Sequence, residues 1–600
     1  MRGEKVKASK YIKNYAGSNP FSDSQARNFS DNKVSSEFYP ISQFWTLFND
    51  QHEILLGTRG CGKTFLLKMM RYSMLKKMDD PKARKLVTEK EYIALYVPMH
   101  LEFVAFFNDL ALSEEQQIML FQFGFNCKLA EALITELISL LEDIADPLEK
   151  AKKTVEIVEY LTEVWFGKED SAGYEFESLS SRIVEMYYTL DKNNTELNGI
   201  SSIFKRQICA PLLAVKTKLK QILNLSHEPT WIVCIDEAEF LNSSLQKCIN
   251  NVFRSDSNRI ALKVATLPYY HKTLETLVEN VLVADGNDFS FRVVDLAYDS
   301  DDFIALTNKL CSHRLKKVLG DEMTCDNLES FLGKIGNDDQ IDYYREEVGI
   351  EQSRREVIEN GIVQNFSDSR KKGVEQYSCK RKTIYDKYAP IYFLREMYKL
   401  TKEGNRKPGW YAGAKNVRKV AQGNPRRYIQ VMSELFERAR KTDLSPKIQH
   451  EVIMKFANRF CDETQALEGK GPVIYKELNN IAESLHKKVH DEYLRTIGTA
   501  FKLDYKKDRN KFSESKEWLE LAIAYSRVIV SDEVKICGIK EDTKFNLSNM
   551  YAIKYWLPMR SDSPEKISIE HKESNSYIVK RCKQQDNYKQ LSLFDEVDDD

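Results

Sequence analysis

The sequence lacks paired cysteines and long apolar runs. Its 11 cysteines are scattered over 600 residues without a CxxC pair, which excludes the spacing of a zinc ribbon. No stretch approaches the roughly 18 consecutive apolar residues of a transmembrane helix, and the first residues lack the apolar core of a signal peptide. We therefore expect a cytoplasmic protein with reduced thiols and no membrane contact.

The chain also lacks an excess of either charge. Lys and Arg number 89, and Asp and Glu number 90, so the overall field does not attract nucleic acid and any basic surface must be local. Apolar residues make up 42% of the chain and charged residues 30%, which is typical of folded proteins. The length predicts about three to four domains.

A phosphate-binding motif lies in the segment "HEILLGTRGCGKTFLLKMM". Glu53–Leu56 is a predicted buried strand, the next eight residues fit G-x-x-x-x-G-K-[ST], and helical periodicity follows. Glycines let backbone N–H groups turn toward phosphate oxygens, and the helix start adds positive partial charge. We therefore predict ATP and Mg²⁺ as ligands, with Lys63 on the β- and γ-phosphates and Thr64 on the metal. The predicted nucleotide-binding residues of this segment are Gly57, Thr58, Arg59, Gly60, Cys61, Gly62, Lys63, Thr64 and Phe65.

Cys61 lies inside this predicted loop. We expect alkylation of its thiol to inhibit ATP turnover, and ATP to protect it.

Two acids follow a second predicted strand. Trp231–Ile235 has the composition of a central parallel strand and leads into Asp236 and Glu237. Ligands bind at the carboxyl ends of such strands, so we predict that Asp236 holds Mg²⁺ and that Glu237 orients and polarises the attacking water. Two adjacent acids favour a hydrolase over a kinase, because a kinase needs a phosphoacceptor site.

The order of the remaining segments resembles that of AAA+ ATPases, most closely the origin recognition complex/Cdc-type branch with its bacterial relatives. After five predicted strands, "VAQGNPRRYIQVMSELFERA" places a G-x-P-R turn before a late helix, as in the lid of those proteins. The resemblance covers residues 38–440 apart from two insertions. It implies an α/β P-loop core with a parallel sheet, a helical lid and a C-terminal winged-helix-like module.

The resemblance also implies roles for two further residues. Thr266 falls on the sensor 1 position and Arg426 on sensor 2, where it would reach from the lid to the nucleotide. The alternatives are an ordinary strand-end hydroxyl for Thr266 and a surface charge for Arg426 or Arg427. The full predicted catalytic set is Lys63, Asp236, Glu237, Thr266 and Arg426.

One departure from the family concerns its arginine finger. The segment "VENVLVADGNDFS" before the fifth strand carries no arginine. The other candidates for an arginine finger are Arg254, Arg259 and Arg292. The sequence leaves open whether the chain forms a homo-oligomer.

The predicted domain boundaries follow from these patterns. A disordered tail is expected over residues 1–37, a core over 38–300 with a helical insertion over 101–226, and a lid over 301–442 with a charged insertion over 316–389. The sequence leaves open whether the helical insertion contacts a partner or is scaffold. A winged-helix-like domain is expected over 443–575 and a flexible tail over 576–600.

The C-terminal half supplies candidate partners. The predicted phosphate-contacting residues on DNA are Lys506, Lys507, Arg509, Lys511 and Arg560, and the alternative is a helical adaptor with a basic surface. "QLSLF" at Gln590–Phe594 resembles the pentapeptide with which bacterial polymerases and repair factors bind the sliding clamp. Docking on its own winged helix is the alternative.

Together these patterns and the resemblance predict an ATP-hydrolysing AAA+ switch that acts on DNA. The resemblance to bacterial members of this branch further implies a role as the ATPase component of a bacterial anti-phage defence or mobile-element system. Its effector is expected on a separate chain, since no nuclease, TIR or protease motif is visible. The alternatives are a replication initiator or helicase/clamp-loading ATPase, and a signalling ATPase that senses a protein ligand without DNA.

Overall fold

A computed structural model describes residues 12–13, 15–23, 29–108, 112–167, 173–189, 197, 199–255, 260–320, 328–333, 355–375, 381–402, 409–505 and 510–568. Three apolar cores hold these residues together. One fills each face of the central sheet, and the third joins the lid to the C-terminal region. Among the described residues, no helix has the length and apolar character needed to cross a membrane.

The central sheet has five parallel strands. These are β1 (Glu53–Leu56), β2 (Tyr92–Pro98), β3 (Thr230–Asp236), β4 (Ile260–Thr266) and β5 (Ser290–Val293), in the order β2-β3-β4-β1-β5. Every residue of β3 and β4 is buried, as their near-continuous apolar composition predicts. Since all strands run the same way, the phosphate motif after β1 and the acids after β3 lie at one edge. The predicted α/β fold with a parallel P-loop sheet is confirmed.

The N-terminal segment packs against the rest of the molecule. Its helices are α1 (Asp31–Glu37) and α2 (Ser42–Trp45). The side chains of Ile12, Phe21 and Val34 are fully buried, and Glu37 accepts a hydrogen bond from Arg314 of the lid at 2.9 Å. The prediction of a disordered tail over 1–37 is therefore wrong for the residues described there, because its few apolar side chains bury themselves in cores formed by distant segments.

Helices cover both faces of the sheet. The elements before β2 are α3 (Lys63–Met69), α4 (Tyr72–Leu75) and α5 (Pro81–Glu89), and α11 (Ser243–Arg254) follows β3. Between β2 and β3 lie α6 (Leu101–Asn108), α7 (Glu114–Leu141), α8 (Pro147–Phe166), α9 (Phe176–Tyr188) and α10 (Ala210–Ile222), where the sequence predicted a helical insertion. Buried Glu136 of α7 accepts hydrogen bonds from the backbone N–H and hydroxyl of Ser73 at 2.9 and 2.8 Å, which anchors this insertion to the core.

The lid is helical. Its elements are α12 (Asp301–Leu319), α13 (Leu328–Leu332), α14 (Arg355–Gln364), α15 (Asp368–Glu375), α16 (Arg381–Lys402), α17 (Ala414–Ala421) and α18 (Pro425–Ala439). The charge of residues 316–389 predicts a solvated helical or partly flexible insertion. The described segments there are helical, but they bury Phe331, Ile358 and Ile362 in the lid core. The charge-rich composition conceals these few buried apolar side chains.

The C-terminal region combines helices with a small mixed sheet. Its elements are α19 (Pro446–Asp462), α20 (Gly471–His490), β6 (Ala500–Asp504), α21 (Asn510–Ala524), β7 (Val528–Ile529), α22 (Asp532–Cys537), β8 (Phe545–Leu547), α23 (Asn549–Lys554) and β9 (Glu565–Ser568). The strand order is β7-β8-β6-β9, with β6 antiparallel to β8 and parallel to β9. The winged-helix assignment stays a prediction.

The predicted DNA and clamp contacts lie mostly outside the described residues. This holds for Lys506, Lys507 and Arg509 and for Gln590–Phe594. Lys511 lies at the start of α21. The Arg560 guanidinium donates to the Asp562 carboxylate at 2.5 Å, so much of its charge is already compensated.

Candidate nucleotide-binding site

The loop between β1 and α3 has the conformation that its glycines allow. Gly60 and Gly62 have φ of +92° and +107°, a region that favours glycine. A Cβ at Gly60 would lie 2.9 Å from the Arg426 Cβ, so the loop also needs glycine for close contact with the lid. The buried Lys63 donates its ammonium hydrogen to the Gly57 carbonyl at 2.6 Å, which places the charge inside the loop.

Asp236 ends β3 beside this loop and is only 2% exposed. Its carboxylate accepts hydrogen bonds from the Tyr96 hydroxyl at 2.8 Å, from the Glu237 backbone N–H at 3.0 Å, and from the Thr64 hydroxyl. Burial raises the pKa of Asp236, and the bonds from Thr64 and Tyr96 oppose that rise. Two hard oxygen donors, a hydroxyl and a carboxylate, thus lie side by side, and this pair suits Mg²⁺ shared with nucleotide phosphates.

Glu237 follows in a left-handed conformation, with φ of +59°. Its carboxylate lies 3.0 Å from Nδ1 of His100, which comes just after β2. A third acid, Glu239, is half-buried nearby, and desolvation raises the pKa of its carboxyl. Its Oε2 has no hydrogen-bond partner among the described residues. Both Glu237 and Glu239 are therefore candidates for the group that polarises water.

A cleft of about 290 Å³ brings the predicted residues together. It is lined by the loop, by the acids after β3 and by the start of α18, including Arg59, Lys63, Thr64, Asp236, Glu237, Glu239 and Arg426. Cations and carboxylates thus face one space, as a site for a metal-bound phosphate chain requires.

The two neighbouring arginines of the lid differ in position. Arg426 lines the cleft, and its backbone N–H donates to the Gly60 carbonyl at 3.4 Å. Arg427 is buried away from it, with its guanidinium 4.6 Å from the Phe460 ring centre. Burial lowers the pKa of Arg427 to about 9. The position therefore favours Arg426 over Arg427 for the predicted contact with nucleotide.

Thr266 is less clearly placed for its predicted role. Its carbonyl accepts a hydrogen bond from the Gly57 N–H at 3.3 Å. Its hydroxyl is buried and has no partner among the described residues, and the adjacent Leu267 lines the cleft instead. The sensor role of Thr266 stays a prediction.

A small apolar pocket of about 80 Å³ adjoins the cleft and shares Gly62, Phe65, Pro425 and Ile429 with it. The N-terminal segment, the loop and the lid each contribute walls, among them Tyr39, Ile41, Phe65, Leu306 and Ile429. Apolar and aromatic walls suit a purine ring, whereas the charged cleft suits phosphates. Of the residues that line this pocket, the phosphate motif indicated Cys61, Gly62 and Phe65. The others come from distant segments that share no local pattern.

Thr58 of the loop is tied to the C-terminal region through Asp295, which sequence analysis missed. The Thr58 N–H and hydroxyl donate to the Asp295 carboxylate at 3.0 and 2.7 Å, and Lys535 of α22 donates to it at 2.8 Å. Although burial opposes ionisation, the Lys535 ammonium and the Thr58 bonds hold the pKa of Asp295 below its ordinary value. Asp295 lies just after the carboxyl end of β5. Acids at the carboxyl ends of parallel strands are candidate site residues, which is how Asp236 was predicted, and the same reasoning would have indicated Asp295.

Arg59 makes a second connection. Its backbone N–H donates to the Ala524 carbonyl at 3.0 Å, and its guanidinium donates to the Tyr525 hydroxyl at 3.1 Å. Asn424 of the lid donates to the Arg59 carbonyl at 2.9 Å. The loop is therefore bonded to the lid and to the C-terminal region at once.

The substitutes for an arginine finger have partners within this chain. Arg254 forms an ion pair with Asp288 at 2.8 Å, and Arg292 with Glu53 at 2.6 Å. Arg259 lies outside the described residues. A finger role for Arg254 or Arg292 would require each to leave its present partner.

The structure changes the expectation for Cys61. Its thiol is buried, and burial raises the pKa to about 11, so little reactive thiolate forms at neutral pH. Among the described cysteines only Cys537 is exposed. We expect limiting iodoacetamide to label Cys537 before Cys61 and to leave ATP turnover unchanged, as measured by peptide mass spectrometry and phosphate release. Rapid labelling of Cys61 in the folded protein would contradict the described loop.

The chain was compared with families, curated proteins and solved structures. A family model described as ORC-CDC6-like matches residues 19–568. No curated protein and no solved structure matches the chain.

Proposed function

Since this chain belongs to the ORC-CDC6-like family of AAA+ ATPases, we propose that it is an ATP-hydrolysing switch that acts on DNA. The observation that carries the proposal is the bonding of three consecutive loop residues. Thr58 donates hydrogen bonds to Asp295, which also accepts one from Lys535. Arg59 donates a hydrogen bond to the hydroxyl of Tyr525. The carbonyl of Gly60 accepts a hydrogen bond from the backbone of the lid. A phosphate loop with such connections can pass its nucleotide state to two other parts of the molecule.

Each residue of the cleft has a different role in the proposed hydrolysis. Lys63 binds the β- and γ-phosphates, and Arg426 approaches from the lid. Thr64 and Asp236 would hold Mg²⁺, which when bound supplies positive charge to the phosphate oxygens. Glu237 orients and polarises the attacking water, and His100 at 3.0 Å limits where its carboxylate can point.

The connections of the loop explain how nucleotide would control the C-terminal region. Phosphate entering the loop moves the backbone at residues 58–60, which changes the support for Asp295 and Tyr525. Coupling of this kind is reciprocal, so a ligand that binds the C-terminal region must change ATP affinity by the same factor. The family supports DNA as that ligand.

We expect DNA affinity to depend on nucleotide and salt, with Lys535 as the link. A plot of log K against log salt for duplex DNA should have a slope equivalent to several phosphate contacts, and a non-hydrolysable ATP analogue should change the affinity. Lys535→Met should abolish the nucleotide effect, because it removes the cation that joins Asp295 to α22 while keeping much of the volume. Fluorescence anisotropy of labelled DNA measures each case.

The exposed Lys540 provides the matched control, and Lys540→Ala should keep the nucleotide effect. No DNA binding at low salt would refute DNA as the substrate and favour a signalling ATPase. Unchanged coupling in Lys535→Met would refute the proposed link.

The proposed biological role is the ATPase component of a bacterial anti-phage or mobile-element system with a separate effector protein. A replication initiator or helicase/clamp-loading ATPase would use the same cleft. The neighbouring genes discriminate between them, since a nuclease or reverse transcriptase favours defence and a replication origin favours initiation.

A sliding clamp is a further proposed partner, on the basis of Gln590–Phe594 alone. Deleting these five residues should abolish binding to purified clamp and leave ATP turnover intact, because every residue assigned to hydrolysis lies outside this segment. A variant with the same five residues in shuffled order controls for length and composition. Surface plasmon resonance with immobilised clamp measures the binding. Equal binding by the deletion variant and the unaltered protein would refute clamp binding through Gln590–Phe594.

A further inference from the structure

Tyr96 lies on β2, the edge strand next to β3, and its hydroxyl contacts the acid that ends β3. We propose that Tyr96 is a positioning residue for Asp236 and sets the affinity of the site for divalent metal. This inference rests on the proposed nucleotide function and assigns Tyr96 no contact with nucleotide.

The register of the two strands explains why a tyrosine is needed. Tyr96 pairs with Cys234, and Pro98 pairs with Asp236. The hydroxyl must therefore reach two residues forward, about 6.6 Å at roughly 3.3 Å per residue. A serine or threonine at this position is too short to reach the carboxylate.

The tyrosine ring is held on its own side of the sheet. Its centre lies 5.7 Å from the Lys68 ammonium and 6.0 Å from the Arg71 guanidinium. Arg71 in turn binds Asp31 of α1 at 2.6 Å. The ring is therefore restricted by side chains from α1, α3 and the segment before α4. Restricting the ring also fixes the position of its hydroxyl beside Asp236.

The hydrogen bonds around Asp236 leave it little freedom. Tyr96 donates to Oδ2 and the Glu237 N–H donates to Oδ1, while Thr64 approaches from the loop. A carboxylate has about four lone-pair positions, so these donors leave few for a metal and fix their direction. Partners of this kind orient metal ligands, and their loss typically costs about ten- to a hundredfold in metal affinity.

The test is Tyr96→Phe, which removes the hydroxyl and keeps the ring. Tyr92→Phe on the same strand is the matched control. Mn²⁺ serves as the metal probe, counted by electron paramagnetic resonance in the presence of a non-hydrolysable ATP analogue. We expect the metal dissociation constant of Tyr96→Phe to rise about ten- to a hundredfold. Analogue binding in EDTA and the melting temperature should stay the same, and high Mg²⁺ should restore turnover.

Three other outcomes of this experiment would each contradict a different part of the proposal. Normal nucleotide and Mn²⁺ binding by the unaltered protein, with the same Mn²⁺ affinity in Tyr96→Phe, would refute the role of Tyr96 alone. If Tyr96→Phe binds the analogue more weakly in EDTA, or melts at a lower temperature, Tyr96 contributes to packing and its proposed role in metal affinity is wrong. Failure of the unaltered protein to bind nucleotide at all would refute the proposed function itself.

Discussion

Lys63→Ala is expected to lower ATP affinity on the order of 100-fold, because it removes a charged donor from inside the phosphate loop. Lys63 is 8% exposed, and its ammonium is 2.6 Å from the Gly57 carbonyl. The side chain is thus already confined where the β- and γ-phosphates would lie. Little conformational entropy remains to be lost when phosphate binds. Titration with a fluorescent ATP analogue measures the effect.

Two controls separate this effect from a loss of folding. Lys85→Ala changes an exposed lysine of α5 and should leave both affinity and melting temperature unchanged. The melting temperature of Lys63→Ala without nucleotide should also change little, since the loop keeps its glycines and its bonds through Thr58 and Arg59. Unchanged ATP affinity in Lys63→Ala would show that the cleft does not hold the phosphates.

Glu237→Gln is expected to bind ATP normally and to hydrolyse it about 10²- to 10⁴-fold more slowly. The amide keeps the size of the side chain and can still bond His100, but it cannot attract a proton from water. Its backbone conformation, with φ of +59°, is retained because the change lies at the end of the side chain. Phosphate release under saturating ATP, together with analogue binding, measures the two properties separately.

The half-buried neighbour Glu239 provides the sharpest comparison. Both carboxylates line the cleft, so Glu239→Gln tests which of them polarises water. We expect Glu239→Gln to retain most of the turnover, and Glu89→Gln on the exposed end of α5 to retain all of it. If Glu239→Gln stops hydrolysis while Glu237→Gln does not, the assignment of the base to Glu237 is wrong.

Local patterns were enough to indicate most of the groups that line the cleft. The phosphate loop is encoded by adjacent residues, because a strand, glycines with positive φ and a helix start follow each other directly. The same holds for Asp236 and Glu237, which follow the apolar run of β3, and for the parallel sheet. Arg426 was indicated by the G-x-P-R turn, although only the helix geometry distinguishes it from Arg427. Successive residues of a helix point about 100° apart, so one faces the cleft and the other faces Phe460.

The N-terminal segment shows where local patterns fail. Its Ser- and Asn-rich composition indicates disorder, yet Phe21 and Val34 are fully buried. Those few apolar side chains find their partners in the lid and beside the sheet, which composition over a short window does not reveal. The burial of Phe331, Ile358 and Ile362 in the charged lid segment was missed for the same reason, since a few apolar side chains are enough to join a core.

By itself, then, the sequence determined which groups line the cleft: a glycine-rich loop with a lysine, the hydroxyl and carboxylate proposed to hold metal, and the acid proposed to polarise water. The tertiary structure alone decided how that chemistry is held and connected. Tyr96 reaches Asp236 across 140 residues of chain, and Lys535 reaches Asp295 across 240. Contacts at such separations depend on strand register and on the docking of the C-terminal region. These are properties of the packed molecule, and they leave no periodic or spaced pattern along the chain.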